Sequence, residues 1–329
     1  MIDALATAPR LIARARLEPL AGSTFQPTGF PDLGAATFNR PDGTRALLVE
    51  SVQSMTNHLE ALGWDGPAQR PRPPLADLPY VEVVDDESNF LTSSRLEPHR
   101  LAAAYVRDAT IDGKHGTEWI GERLGLIAAK PLDWPSIYRA VFELDPLCLV
   151  HGVFFSDKGW HGNPKVRRAL TMVIEAHNVE EAVSGGLKRD DVQFKSGERG
   201  SGQSAEEGYG FVPFGRTEYV AESIELTAVI DLEQIRGYGL DERATRLLTL
   251  IVLWQLRGLL AQPLRLRTAC DLDVVSVDVE RPRDFELPGA EELETAIAQA
   301  MPAFEQAGAR RMTWAPPKKK AKKPEEEAE

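Results

Sequence analysis

The chain has 329 residues, 43% of them hydrophobic and 27% charged, an ordinary globular mix that allows a sizeable core. No run approaches the ~18 consecutive apolar residues of a membrane helix, the first ten residues hold no apolar signal region, and two cysteines (Cys148, Cys270) are too few for a disulfide framework, so the expected setting is a reducing cytoplasm without a membrane partner. The net charge of −12 counts against a nucleic-acid partner in bulk, but binding depends on local patches, and Lys158–Arg216 carries nine Lys and Arg against eight Asp and Glu.

The first element is a strand over Leu11–Leu17, where Leu11, Ala13, Ala15 and Leu17 alternate with Ile12, Arg14 and Arg16. A loop rich in Gly and Pro runs from Pro19 to Gly43. The spacing of Leu48, Val52, Met55, Leu59 and Leu62 predicts a helix that starts near Thr44 and stops at Gly63. Ser51, Gln53, Ser54 and Asn57 lie off its apolar stripe, toward solvent or a ligand. Residues 66–78 read as a loop, Tyr80–Val84 as a strand, Glu97–Val106 and Pro135–Leu144 as helices, and the apolar run Leu147–Phe155 as a buried strand. The pattern of Val166–Ala176 fits helix or strand.

Gly185–Gly215 holds eight glycines among polar residues and is expected to be a mobile loop or an extended hairpin. A strand over Glu218–Leu232, a strong helix over Asp241–Leu260, a strand over Leu264–Val279 and a helix over Ala290–Gln306 follow. The last fifteen residues, five lysines and then four glutamates among them, are expected to be disordered. The order of elements suggests an α+β chain built on a ferredoxin-like βαββαβ unit of the RNA-recognition-motif kind with long loop insertions. One domain is expected over residues 1–314, with insertions at about 64–95 and 185–216 and a tail over 315–329.

No motif supports catalysis. The six histidines form no HExxH or HxH pair, and there is neither a Walker A loop nor a GxSxG elbow, so no enzyme, cofactor or metal is expected. Three groups of residues could hold RNA instead. Arg14 and Arg16 share one face of the first strand. Lys158, His161, Lys165, Arg167 and Arg168 cluster within eleven residues. The glycine-rich arm carries Lys188, Lys195, Arg199 and Arg216 with Phe211 and Phe214, cations for phosphates and rings for bases. Each group could equally be an ordinary solvated surface.

Several blocks resemble a known family: LLVESVQSMTNHLEALGW (47–64), SRLEPHRLAAAYV (94–106), HGVFF (151–155), VRRALTMVIEAHNV (166–179), GYGFVPFGRTEYVAESI (208–224), LRLRTACDLD (264–273) and the loop FQPTGFPDLGAA (25–36). Together they resemble the Cas-seven-type (Csb-one) backbone subunit of type I-G, formerly I-U, CRISPR effectors, within the RAMP superfamily. The resemblance implies a non-enzymatic subunit that polymerises along the CRISPR RNA with other copies of itself and other effector subunits. A hairpin thumb would fold over the RNA, and the guide would pair with target DNA. Type III relatives cut RNA with an aspartate in a loop after the first strand. Asp32 would be the candidate for that alternative, a metal-dependent ribonuclease.

Overall fold

The computed structural model describes residues 2–30, 33–188 and 212–316. Its centre is a seven-stranded antiparallel sheet. In chain order the strands are β1 (Arg10–Pro19), β2 (Thr37–Asn39), β3 (Arg45–Glu50), β4 (Leu170–Lys188), β5 (Val212–Asp231), β6 (Leu264–Arg267) and β7 (Cys270–Arg281). They lie side by side as β6-β7-β1-β5-β4-β3-β2. Helix α1 (Val52–Leu62) follows β3, and helix α2 (Glu242–Leu260) precedes β6.

The alternation read from the sequence builds the core. Leu11, Ala13, Ala15 and Leu17 of β1 are buried, as are Leu170, Met172, Ile174 and Ala176 of β4 and Ile224, Leu226, Ala228 and Ile230 of β5. α1 packs on β4 and on α2, with Met55 and Leu59 buried. α2 is buried over most of its surface because the helix Ala290–Ala300 packs along it. The second sheet is smaller, and its strand Ala309–Thr313 runs parallel to Tyr80–Val84, which is buried along its whole length.

Five sequence expectations are corrected. The helix around Met55 begins at Val52, capped by Ser51, whose hydroxyl accepts the Ser54 N–H at 3.2 Å. Leu48 belongs to β3, where extended backbone continues the helical spacing by coincidence. Leu147–His151 is a helix, and only Val153–Phe154 is extended. A wholly apolar run has no period to tell a buried strand from a buried helix; here Asp145 accepts the Leu147 N–H at 3.1 Å and starts the turn. Leu264–Val279 is a hairpin, reversed at Ala269 with φ 58°. The C-terminal helix stops at Ala300, before Pro302, and a short strand follows. Glu97–Val106 is a 3-10 turn, Arg100–Ala102, and a short helix, Ala104–Asp108.

β4 and β5 outrun their neighbours. β3 pairs with β4 only over Ile174–His177, and β1 pairs with β5 only over Ile224–Asp231, yet the β4–β5 ladder continues to Lys188 opposite Val212. The pair therefore leaves the sheet as a two-stranded arm. Asp32, Lys195, Arg199, Phe211 and the tail beyond residue 316, for which the sequence sets expectations, lie outside the described residues, as do the side chains of Lys188 and Phe214.

Candidate nucleic-acid interface

The basic cluster lies at the end of β4 opposite the arm. Between Val150 and Leu170 the chain forms a hairpin in which Val153–Phe154 pairs with Lys165–Val166, and Arg167 and Arg168 lead from it into β4. Gly152 opens the hairpin at φ 81°. A Cβ there would meet the Val166 carbonyl oxygen at 3.0 Å and Arg168 Cγ at 3.2 Å, so glycine is required both by backbone and by space.

A groove of about 630 Å³ opens beside this hairpin. Gln53 of α1, Arg100, Phe154, Lys165, Arg167 and Arg168 line it. Arg168 is half-buried; its Nε donates to the His151 carbonyl at 3.3 Å and its Nη2 to Gln53 Oε1. Arg100 is buried beneath, at φ 53°. It holds Glu60 in a two-pronged pair at 2.6 and 3.0 Å and donates to the Gly152 carbonyl at 3.1 Å. Burial pushes the Glu60 carboxyl up even though Arg100 pulls it down. Glu60 is thus committed to Arg100.

Among the described residues Arg168 consequently has only neutral hydrogen-bond acceptors. Burial lowers its pKa and the nearby Arg100 guanidinium lowers it further, against a smaller upward pull from the Glu60 carboxylate. A guanidinium in that position stays charged at a cost that an anion would relieve. Exposed Lys165 and Arg167 beside it have no carboxylate within ion-pair distance among the described residues, and neither does Arg168. Gln234 Nε2 fixes the Arg167 backbone by donating to its carbonyl at 2.8 Å. Lys158 and His161 are exposed on the loop that closes the hairpin.

The other candidates are placed differently. Arg14 sits on the open face of the sheet, between Glu225 and Glu280; its Nε is 2.8 Å from Glu280, and Nη1 contacts Glu225. The Glu280 and Glu225 carboxylates raise its pKa. Arg16 pairs with Glu18 at 2.6 Å. That face also carries Glu175, directly across from Glu225, and Asp278, across from Arg14. It is acidic on balance, so the open sheet presents no cationic surface. Arg216 lies along the arm, paired with buried Glu218 at 2.6 Å. At roughly 3.3 Å per residue, the ladder separates the arm's end at Lys188 from the start of β4, beside Arg168, by roughly 60 Å. Gln53 reaches the groove; Asn57 is exposed one turn on, and Ser51 and Ser54 are half-buried in the cap.

Sequence reasoning missed two groove residues. Arg100 carries no local signal, because its role depends on Glu60 forty residues away. Phe154 was hidden by the reading of its run as wholly buried, whereas it is 46% exposed. Among the described residues no group of three or more His, Cys, Asp and Glu side chains is placed to hold a metal ion, and no helix is long and apolar enough to cross a membrane.

The chain belongs to the family described as CRISPR-associated protein GSU0053, which matches residues 11–181 and so includes every groove residue named above. No curated protein matches it. Among solved structures it is similar to a chain of "CRISPR RNA-guided surveillance complex, pre-nicking", with 13% identity over 87% of this chain and 80% of that one and a TM-score of 0.43. A chain of "CRISPR RNA-guided surveillance complex" gives 12% identity over 87% and 75%, with a TM-score of 0.38. Csc2 of Thermofilum pendens gives 11% identity over 92% and 75%, with a TM-score of 0.29.

Proposed function

We propose that this CRISPR-associated chain is a guide-RNA-holding backbone subunit of a type I-G effector complex, and that the groove at Arg168 receives the RNA backbone. The observation that carries this reading is a half-buried guanidinium with no carboxylate partner among the described residues, flanked by two exposed cations and backed by a second, buried arginine. Phosphate is the anion such a site suits, because cations at phosphates give affinity without base choice, as a subunit serving any guide requires. Strand order supports the reading: β7-β1-β5-β4 is the fourth-first-third-second order of a ferredoxin-like unit, with α1 between its first and second strands and α2 between its third and fourth. RNA-recognition modules share that unit. Here the acidic open face moves the RNA from the sheet to its end.

In this reading the protein holds RNA and does not cut it. Its partners are CRISPR RNA, further copies of itself, other effector subunits and, through guide pairing, target DNA. The test is co-expression with a CRISPR array and analysis of the RNA retained on purification. Short RNA of uniform length, lost when Arg167 and Arg168 are both changed to Glu, is expected. Protein that purifies free of RNA would overturn the proposal. Cleavage of guide-matched RNA with Mg²⁺ would favour the ribonuclease alternative.

A further inference from the structure

The groove pairs its cations with an exposed aromatic ring. Val153 and Phe155 on either side of Phe154 are buried, and Phe155 packs edge-on against Trp160 at 5.1 Å. Strand alternation therefore turns Phe154 outward, into the groove wall. The hairpin register sets it directly across from Lys165, whose Nζ lies 5.4 Å from the ring centroid. A single exposed ring is unremarkable on a protein surface. This one stands in a groove whose other side is an arginine with no carboxylate partner among the described residues. A flat π-face beside an ammonium and a guanidinium matches the two halves of a nucleotide, a flat base and an anionic phosphate.

We propose that Phe154 is the stacking platform for one unpaired base, with Lys165 and Arg168 meeting the adjoining phosphates, so that the groove selects single-stranded over duplex RNA. The proposal rests on the RNA-holding reading above and deepens it. A base within a duplex already has both faces stacked and cannot lie on the ring, whereas any unpaired base offers a π-face, so the contact is tolerant of sequence.

The test compares the full chain with its Phe154→Ala and Phe154→Trp variants, binding single-stranded RNA of mixed sequence and the same RNA annealed to its complement. Because Phe154 is half exposed, the variants should fold; circular dichroism checks this. Phe154→Ala should weaken single-strand binding about tenfold, leaving the salt slope and duplex binding unchanged. Phe154→Trp should retain affinity, and RNA should quench its added fluorescence. Unchanged single-strand affinity in Phe154→Ala would overturn the stacking proposal. The backbone-holding reading would survive that result if Arg167→Glu with Arg168→Glu still weakened binding about a hundredfold, and would fall with it if that pair also bound RNA normally.

Discussion

The open face of the sheet and the groove at its end are both lined with arginine, and only one of them has charge to spare. On the sheet, Arg14 has Glu225 on β5 and Glu280 on β7, and its pKa is raised. In the groove, Arg168 has a glutamine and a backbone carbonyl, and its pKa is lowered. The difference lies in the neighbours: Arg14 is paired with two carboxylates, whereas Arg168, lowered chiefly by its burial, has no carboxylate within ion-pair distance among the described residues. A count of cations therefore says little about where an anion binds. What neighbouring strands and loops set beside each cation decides it.

The contrast presupposes α1, which carries Gln53 to the groove. Met55 is fully buried on the opposite side of that helix. Met55→Asp should cost at least ~4 kcal/mol by burying an unpaired charge and abolish the cooperative thermal transition. A soluble variant with an unchanged melting temperature would mean that the face is misassigned. Next in size is Arg100→Ala, which strands Glu60 without its partner. About 3 kcal/mol should be lost, measured by urea unfolding. Replacing Glu60 by Leu and Arg100 by Met together should recover most of it, since no buried charge then remains.

The comparison itself can be broken from both sides. Arg167→Glu with Arg168→Glu should weaken RNA binding about a hundredfold, roughly 2.7 kcal/mol, for all sequences alike, and lower the salt slope by about two. Glu225→Gln with Glu280→Gln frees Arg14 on the open face and should raise affinity severalfold with a steeper slope. If the first pair leaves the salt slope unchanged, the groove is not the site. If the second pair has no effect, pairing is not what silences Arg14.

The smallest effect is on pH dependence. His151, beneath the groove, is fully buried, and burial followed by the charge of Arg100 holds its pKa well below 6.5. Below pH 6.5 the unfolded chain takes up a proton at this position that the folded chain refuses. Its contribution to stability is therefore complete above that pH and declines as pH falls, by about 1.4 kcal/mol per unit. His58 shifts the same way through burial. Urea midpoints at pH 7.5, 6.5 and 5.5 should fall in that order, and less steeply in His151→Gln. A midpoint that rose on acidification would show that the imidazole is charged in the folded state.

Local periodicity made β1, the Met55 helix and α2 legible, because each buries one face or stripe whose spacing is written into consecutive residues. Clustering of basic residues marks Arg167 and Arg168 as candidates and the helical face marks Gln53, but neither signal ranks them above Arg14 and Arg16. Periodicity could not see that Leu147–His151 is a helix, since an all-apolar run has no period. Nor could it separate compensated from uncompensated arginines. Arg14 meets a glutamate 211 positions away, while Arg168 meets a glutamine 115 positions away. Alternation along a strand decides which face a side chain occupies, and that is local. Which charge lies across from it depends on strands brought together only by folding. The chain thus carries its cations in plain view, and the tertiary structure alone decides which of them remain free for a phosphate.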